Sequence, residues 1–103
     1  MRGGPREEIT PAVLALLKLY GWRASHFRPL LTTRGWRTPL SGDKGFPDIL
    51  AVRRERCIAV ECKGKDNQPT PDQEAWIAAL EAAAIETYVV RSGDLERFAK
   101  LIA

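Results

Sequence analysis

The sequence has little of what marks a disulfide-stabilised, zinc-binding or membrane protein. It contains two cysteines and one histidine in 103 residues, and no apolar run approaches the ~20 residues that span a bilayer. Cys57 and Cys62 are five positions apart, so on one predicted strand they point to opposite faces, which argues against an internal disulfide. No His-Cys cluster offers zinc ligands. The charged segment 1–8 is not followed by the apolar core of a signal peptide. We therefore expect a single domain, residues 1–103, without membrane spans, in a reducing cytoplasm.

The spacing of apolar residues predicts three helices and four strands around one modest core. Gly21 is placed to end the first helix, and Pro11 is expected in the first turn, where its missing N–H costs little. Thr70, Pro71 and Gln73 form an N-cap, a proline at the first helical position and a capping-box partner. The apolar side of that helix is expected to bury Trp76, Ile77, Leu80 and Ala84. In chain order we expect a helix at 8–20, a strand at 22–31, an irregular segment at 32–44, strands at 48–52 and 57–63, a helix from 70, a strand at 86–91 and a helix at 93–102.

The two middle strands predict a chemical site. Thirteen positions separate Asp48 from Glu61, with two apolar stretches and a charged turn between them, which is typical of a β-hairpin. The hairpin would bring both carboxylates to the same end, and Glu61 and Lys63 must share a face because side chains alternate along a strand. Two acids and a lysine on one face can hold a hard divalent cation beside a proton-handling amine. The arrangement outlines a site for cleaving phosphodiesters.

The same residues resemble a known family signature. Pro47-Asp48 followed by Glu61-Cys62-Lys63 is similar to the PD-(D/E)xK nuclease motif. With Gly45-Phe46 before it, Gly64-Lys65 after it and Thr70-Pro71-Asp72-Gln73 beyond, the chain resembles the VRR-NUC (virus-type replication-repair nuclease) domain, especially small stand-alone members from phages and bacteria. The resemblance implies an α/β, restriction-endonuclease-like αβββαβ core, with a mixed central sheet flanked by helices. The third and fourth strands should be parallel neighbours joined by the second helix.

The resemblance also implies roles for the motif residues. Asp48, Glu61 and the backbone carbonyl of Cys62 would bind Mg²⁺, for which Mn²⁺ should substitute. Lys63 would orient or help deprotonate the attacking water and offset developing negative charge; its simpler role would be to neutralise Glu61.

Two further residues have both a functional and an ordinary interpretation. Glu8, near the start of the first helix, is the candidate fourth acid and metal ligand, although the family's usual Glu-x-x-Gln is incomplete here. Glu7 and Glu8 could instead complement the positive end of the helix. Gln73 would reach phosphate or water in the site, or would serve only as the capping-box partner of Thr70.

Positive charge is concentrated in the middle of the chain. From Trp22 to Lys65 there are ten Lys or Arg and four Asp or Glu, and from Asp66 onward there are three and seven. We expect this basic excess to surround the candidate site, and such a distribution attracts a polyanion. Trp36 could stack on DNA or lie against the protein surface, and His26 is interpreted as a packed strand residue. The residues expected to contact nucleic acid are Arg28, Arg34, Arg37, Lys44 and Lys65.

Together these features predict a metal-dependent DNA endonuclease that leaves a 5′-phosphate and a 3′-hydroxyl. The resemblance implies a homodimer acting on branched DNA such as four-way (Holliday) junctions, in a bacterial or phage-infected cell. Cleavage of flaps or simple duplex is an open alternative, as is a catalytically silent DNA-binding module. The sequence does not decide between DNA and RNA.

Overall fold

The computed structural model describes residues 5–27, 30–37 and 41–103, with the backbone alone for 5–8, 30–32 and 37. A short 3₁₀ turn at Ser92–Asp94 precedes the last helix. The elements are α1 (Pro5–Leu19), β1 (Arg23–His26), β2 (Leu30–Thr32), β3 (Gly35–Arg37), β4 (Ile49–Arg53), β5 (Arg56–Cys62), α2 (Pro71–Ala82), β6 (Glu86–Val90) and α3 (Leu95–Ile102).

A four-stranded mixed sheet organises the domain, with strand order β1-β4-β5-β6. The β1–β4 and β4–β5 pairs are antiparallel, and β5–β6 is parallel. Strands β4 and β5 form the predicted hairpin, and α2 joins the two parallel strands. The predicted α/β class, mixed sheet and parallel final pair are confirmed.

One face of the sheet carries the hydrophobic core. Helices α1 and α3 contact each other and supply apolar side chains to it. Side chains alternate between the two faces along β4 and β5, so every second residue faces the core, and most of these residues are apolar. Residues buried in the core include Val13, Leu17, Ile49, Ala51, Ile58, Val60, Cys62, Val90, Phe98 and Ile102. The opposite face is the one on which α2 lies.

Helix α1 ends as the sequence predicts but begins earlier. Gly21 has φ +82°, and the N–H of Trp22 donates to the Leu17 carbonyl over 2.9 Å, a left-handed helix end that suits glycine. The prediction that Pro11 lies in the first turn is wrong, because α1 starts at Pro5 and holds Pro11 in its interior. Pro11 has no N–H to give to the preceding turn. Ile9 and Val13, on either side of it, are both buried, so packing holds the helix together there.

The segment before the hairpin is more ordered than predicted. The strand expected at 22–31 ends at His26, and β2 and β3 form a separate two-stranded sheet. The segment expected to be irregular therefore contains a strand. Gly35 has φ +97° and follows the turn between β2 and β3, where a left-handed residue permits a tight reversal.

Two further expectations concern α2. The capping box at Thr70 and Gln73 is present, with Pro71 at the first helical position, as predicted. Trp76, Ile77 and Leu80 are half-buried rather than buried, and Ala84 is exposed beyond the helix end, contrary to prediction. Ala84 has φ +66°, so it terminates the helix instead of extending its packed side. None of the helices in the described ranges is both long and apolar enough to cross a membrane.

The C-terminal end of α3 is fastened to the turn of the hairpin. Arg53 donates from Nη1 to the carbonyls of Tyr20 (2.9 Å) and Ile102 (2.8 Å). Trp22 Nε1 also donates to Ile102 O, over 2.9 Å. Arg53 and Arg56 lie over the Trp22 ring, 4.7 and 5.1 Å from its centroid. These donors satisfy carbonyls that a helix end leaves without intrahelical partners.

Candidate active site

The candidate site lies at the open end of the hairpin, away from its turn. In the β4–β5 register Ile49 pairs with Val60, so one step outward Asp48 lies opposite Glu61. In the β1–β4 register His26 pairs with Ile49, and one step outward Phe27 lies opposite Asp48, where the Phe27 N–H donates to the Asp48 carbonyl over 2.8 Å. Directly opposite residues share a face of an antiparallel sheet. Phe27, Asp48 and Glu61 therefore form a row across the face that carries α2.

Asp48 is fixed by the next strand. Its side chain is buried, and Oδ2 accepts a hydrogen bond from the Cys62 N–H over 2.9 Å. The preceding Pro47 is also buried, and its ring restricts the backbone that enters β4. The contact holds the carboxylate against the Glu61-Cys62-Lys63 segment, as the predicted motif requires.

Glu61 lies at the centre of a polar cluster. Its side chain is 1% exposed, and its Oε2 lies 3.7 Å from Lys63 Nζ, whose side chain is 12% exposed. Glu61 Oε2 also accepts a hydrogen bond from Gln73 Nε2 over 2.8 Å. The prediction that Glu61 and Lys63 share a face is confirmed. A carboxylate this deeply buried requires such charged and hydrogen-bonding neighbours.

Gln73 combines its two possible roles in one side chain. Its Oε1 accepts from the Thr70 N–H over 2.9 Å, while Thr70 Oγ1 accepts from the Gln73 N–H over 3.2 Å. The capping box thus holds the carbonyl end of the amide, and the amide nitrogen is directed at Glu61. One side chain therefore joins the N-terminal cap of α2 to the polar cluster through hydrogen bonds.

The loop before Asp48 approaches the start of α2 very closely. Gly45 has φ +101°, and a Cβ placed on it would lie 2.6 Å from the backbone carbon of Asp72. Trp76 Nε1 donates to the Asp43 carbonyl over 3.1 Å. An open groove of about 770 Å³ lies between this loop and α2, lined by Gly42, Asp43, Lys44, Asp72, Ala75, Trp76 and Ala79.

Three aromatic rings form a chain of contacts that begins at Phe27, the first residue of the row. Phe46 contacts Phe27 edge-to-face at 5.5 Å between ring centroids, and Trp76 at 5.0 Å. Phe27 is 43% exposed. Sequence analysis did not single out Phe27 as a site residue, because only the strand register shows that it lies opposite Asp48.

The other residues that the sequence singled out either have no described side chain or lie away from the Asp48–Glu61 cluster. The backbone of Glu8 lies in α1, but its side chain is outside the described atoms. Arg28 lies outside the described residues, and so does the side chain of Arg37. Arg34 lies in the exposed turn between β2 and β3. His26 faces the core side, since it pairs with the fully buried Ile49, so it points away from Asp48.

Two predicted lysines and one aromatic residue lie at the surface. Lys44 has an 80% exposed side chain, 3.7 Å from Asp72 Oδ2, and Lys65 is exposed in the loop just after the motif lysine. Trp36 is 54% exposed on β3. All three are accessible to a large ligand.

The positive charge of the middle segment is not all gathered around the site, contrary to the expectation from the sequence. Arg53 and Arg56 pair at the turn of the hairpin, at the far end from Asp48. Arg56 donates to both oxygens of Glu86, over 2.9 and 2.7 Å, and this hydrogen bonding, more than that from Tyr88, lowers the pKa of Glu86 to about 2. Arg23 is exposed on the same face as Phe27, but it pairs with Val52, also towards the turn. A composition count cannot reveal this distribution, because it does not distinguish the two ends of a hairpin.

The donor set suits a hard cation. Carboxylate and carbonyl oxygens from Asp48, Glu61 and Cys62 are the ligands that Mg²⁺ accepts, and one or two carboxylates with substrate phosphate are a common magnesium arrangement. Among the residues with described side chains, no group of three or more His, Cys, Asp or Glu is arranged around one point. The two carboxylates are therefore the nucleus of the site, and the partly exposed Phe27 lies at the other end of their row.

Comparison with known proteins agrees with this geometry. No curated protein and no solved structure matches the chain significantly. The family model of the VRR-NUC domain matches residues 32–94, a range that contains the hairpin, the Asp48–Glu61–Lys63 cluster, α2 and β6. The match covers more than half of the chain, and the α/β fold with its mixed sheet is that of a PD-(D/E)xK-like nuclease. The chain belongs to the VRR-NUC family of nuclease domains.

Proposed function

We propose that this protein is a divalent-metal-dependent DNA endonuclease. The observation that carries the proposal is the cluster at the open end of the hairpin, where the buried carboxylates of Asp48 and Glu61 lie opposite each other and Lys63 Nζ lies 3.7 Å from Glu61 Oε2. A silent DNA-binding module would gain nothing from burying two acids beside its ligand, since burying charge is costly and acids repel phosphate.

Asp48, Glu61 and the Cys62 carbonyl would hold Mg²⁺ or Mn²⁺, with Glu8 as a further candidate ligand. When bound, the ion supplies Lewis-acid activation of the scissile phosphate and lowers the pKa of the attacking water. Asp48 is suited to a fixed ligand position because the Cys62 N–H holds its Oδ2. Gln73 orients the Glu61 carboxylate through its own hydrogen bond.

Lys63 would act on the nucleophile and on the charge that develops at phosphorus. Its ammonium is largely withdrawn from solvent, where a preorganised positive charge is worth more than in water. Its hydrogen bond would keep the attacking water in line. The water oxygen would bond to phosphorus as the bond to the 3′-oxygen breaks. The attacking water would lose its proton to bulk solvent and the 3′-oxygen would take one from solvent, which leaves a 5′-phosphate and a 3′-hydroxyl.

The substrate is proposed to be branched DNA, cut by a homodimer. A two-fold dimer would present two sites to a two-fold junction, and the exposed Arg34, Lys44 and Lys65 would contact backbone phosphates, which position DNA without reading its sequence. Flap or duplex cleavage uses the same chemistry and is the second candidate. RNA is a further possibility that the same test covers.

The test is cleavage of labelled duplex, flap, splayed-arm and four-way substrates, and of RNA, with Mg²⁺, Mn²⁺ or chelator. Asp48→Asn should abolish cleavage while binding survives or tightens, because one negative charge near phosphate is removed. Asp43→Asn removes one carboxylate from an exposed nearby side chain and should leave cleavage intact. Equal cleavage by wild-type and Asp48→Asn protein, or cleavage that continues in chelator, would contradict the proposal. Light scattering tests the dimer, since a monomer that cuts junctions normally removes that element alone.

A further inference from the structure

We propose that Phe27 stacks on the nucleobase next to the bond that is cut, and so selects DNA in which that base is unstacked from its neighbour. The inference rests on the proposed nuclease function and adds a substrate-positioning residue to the same site.

Position is the first argument. Phe27 continues the β1–β4 register by one residue, and its N–H donates to the Asp48 carbonyl over 2.8 Å. Side chains directly opposite in an antiparallel pair lie about 4.5–5.5 Å apart at Cβ on the same face. A phosphate held by Asp48 and Glu61 would therefore have its neighbouring base within reach of the Phe27 ring.

Access is the second argument. The row Phe27–Asp48–Glu61 is closed at its Glu61 end, where Gln73 of α2 donates to the carboxylate. At the other end β1 has no further neighbour in the described sheet. In this proposal DNA reaches the row over the β1 side, past a large apolar ring that is 43% exposed.

Rigidity is the third argument. Phe27 packs edge-to-face on Phe46, which packs in the same way on Trp76, and Trp76 is held by its hydrogen bond to the Asp43 carbonyl. A ring supported in this manner loses little freedom when a base covers it. Stacking on an aromatic ring tolerates any base, which suits an enzyme that must position phosphate without reading sequence.

A base can cover the Phe27 ring only if it is free of one of its own stacking partners. Continuous duplex must lose stacking to provide such a base, whereas a frayed end, a single strand or a branch point already offers one. Phe27 would thus favour substrates with an unstacked nucleotide beside the scissile bond.

The test compares Phe27→Leu with Phe27→Trp. Leucine keeps apolar bulk against Phe46 but removes the ring, so thermal stability should be close to wild type. On a splayed-arm substrate we expect KM to rise about 5- to 150-fold for Phe27→Leu, with kcat unchanged, because stacking is present before and during the reaction. Phe27→Trp should restore KM. On continuous duplex the ratio of the Phe27→Leu KM to the wild-type KM should be smaller than on the splayed-arm substrate.

Binding provides a readout that does not depend on cleavage. In the Asp48→Asn background, 2-aminopurine at the nucleotide next to the mapped cut site should be quenched on binding, and Phe27→Leu should remove this quenching. Leu101→Ala is the matched control, since Leu101 is 45% exposed on α3, on the other layer; it should change neither KM nor the signal.

The outcomes separate the two proposals. If wild-type protein cuts DNA and Phe27→Leu matches it in KM and quenching, the stacking inference is wrong and the nuclease stands. The inference is also wrong if both Phe27 variants raise KM equally, because a ring would then make no difference. If wild-type protein neither cuts nor binds any substrate, the proposed function fails and the inference falls with it.

Discussion

The close approach at Gly45 leads to a prediction with a control built into the chain. A Cβ at Gly45 would lie 2.6 Å from the Asp72 carbonyl carbon, 2.7 Å from its oxygen and 2.8 Å from its Cβ. Gly42, three residues earlier, has nearly the same φ, +102° against +101°, yet a Cβ there would meet nothing within 4 Å. Gly42→Ala therefore measures the conformational cost alone, and Gly45→Ala adds the collision with backbone.

The magnitudes follow from these two terms. An L-residue held at such a φ costs about 1–2 kcal/mol, so Gly42→Ala should lower the free energy of unfolding by about that amount. The collision at Gly45 cannot be relieved by rotating a side chain, because the nearest atoms are backbone. Overpacking of this kind adds about 1–3 kcal/mol, which gives about 2–5 kcal/mol for Gly45→Ala.

Activity should separate the two variants more widely than stability. Asp72 is followed by Gln73, which donates to the Glu61 carboxylate, so a shift of the α2 start would move that carboxylate. Displacing an active-site group by about 1 Å can lower a rate by about 100-fold. Urea unfolding and cleavage rates of both variants give the measurement. Equal destabilisation by Gly42→Ala and Gly45→Ala would show that the loop does not approach α2 as described, and normal cleavage by a destabilised Gly45→Ala would break the link to the site.

Three further predictions concern other contacts. Thr70→Ala and Gln73→Ala should each destabilise the protein by about 1 kcal/mol in urea unfolding, because both break the capping box. Only Gln73→Ala should slow cleavage, by about 10- to 100-fold, since it also loses a hydrogen bond to a buried carboxylate. Equal cleavage rates for the two variants would refute this prediction. The pKa of Glu86 is about 2 in the folded protein against 4.5 ordinarily, mainly because Arg56 hydrogen-bonds to it, so its contribution is complete above pH 4.5 and is lost as pH falls towards 2. That contribution should be about 1 kcal/mol, because the Glu86 side chain is 36% exposed and solvent screens the pair. Glu86→Gln should therefore be less stable than wild type at pH 7 and should lose less stability as the pH falls. Parallel curves of stability against pH for the two proteins would contradict the role given to Glu86. Arg54, in the turn of the hairpin, has φ +54°, so Arg54→Gly should raise the free energy of unfolding by about 0.5–1 kcal/mol, and a loss of stability would show that its side chain compensates for the strain.

The central part of the fold could be predicted because local rules decide it. The two apolar runs, the charged turn between them and the period of two place Glu61 and Lys63 on one face, and the structure has them there. The cap of α2 is equally local, since Thr70, Pro71 and Gln73 lie within four residues. Such short-range signals need no knowledge of distant packing.

The errors arose where long-range packing outweighs local preference. Pro11 usually marks a helix start, but burial of Ile9 and Val13 carries α1 through it. The strand expected at 22–31 stops at His26 because its pairing partner, β4, begins at Ile49. Phe27 then lies one step beyond both strands, opposite Asp48, and no pattern along the sequence could reveal a relation that exists only across strands.

The two ends of the hairpin have opposite chemical needs, and this explains the distribution of charge. At the turn, arginines satisfy the carbonyls at the end of α3 and pair with Glu86, so their charge is used within the fold. At the open end, buried carboxylates require positive partners, and within the described contacts Lys63 supplies one at 3.7 Å. A divalent ion with a bound phosphate would complete that requirement without changing the scaffold, because the strands that hold the acids are anchored at the other end. Chelation should therefore affect cleavage far more than it affects the stability of the core.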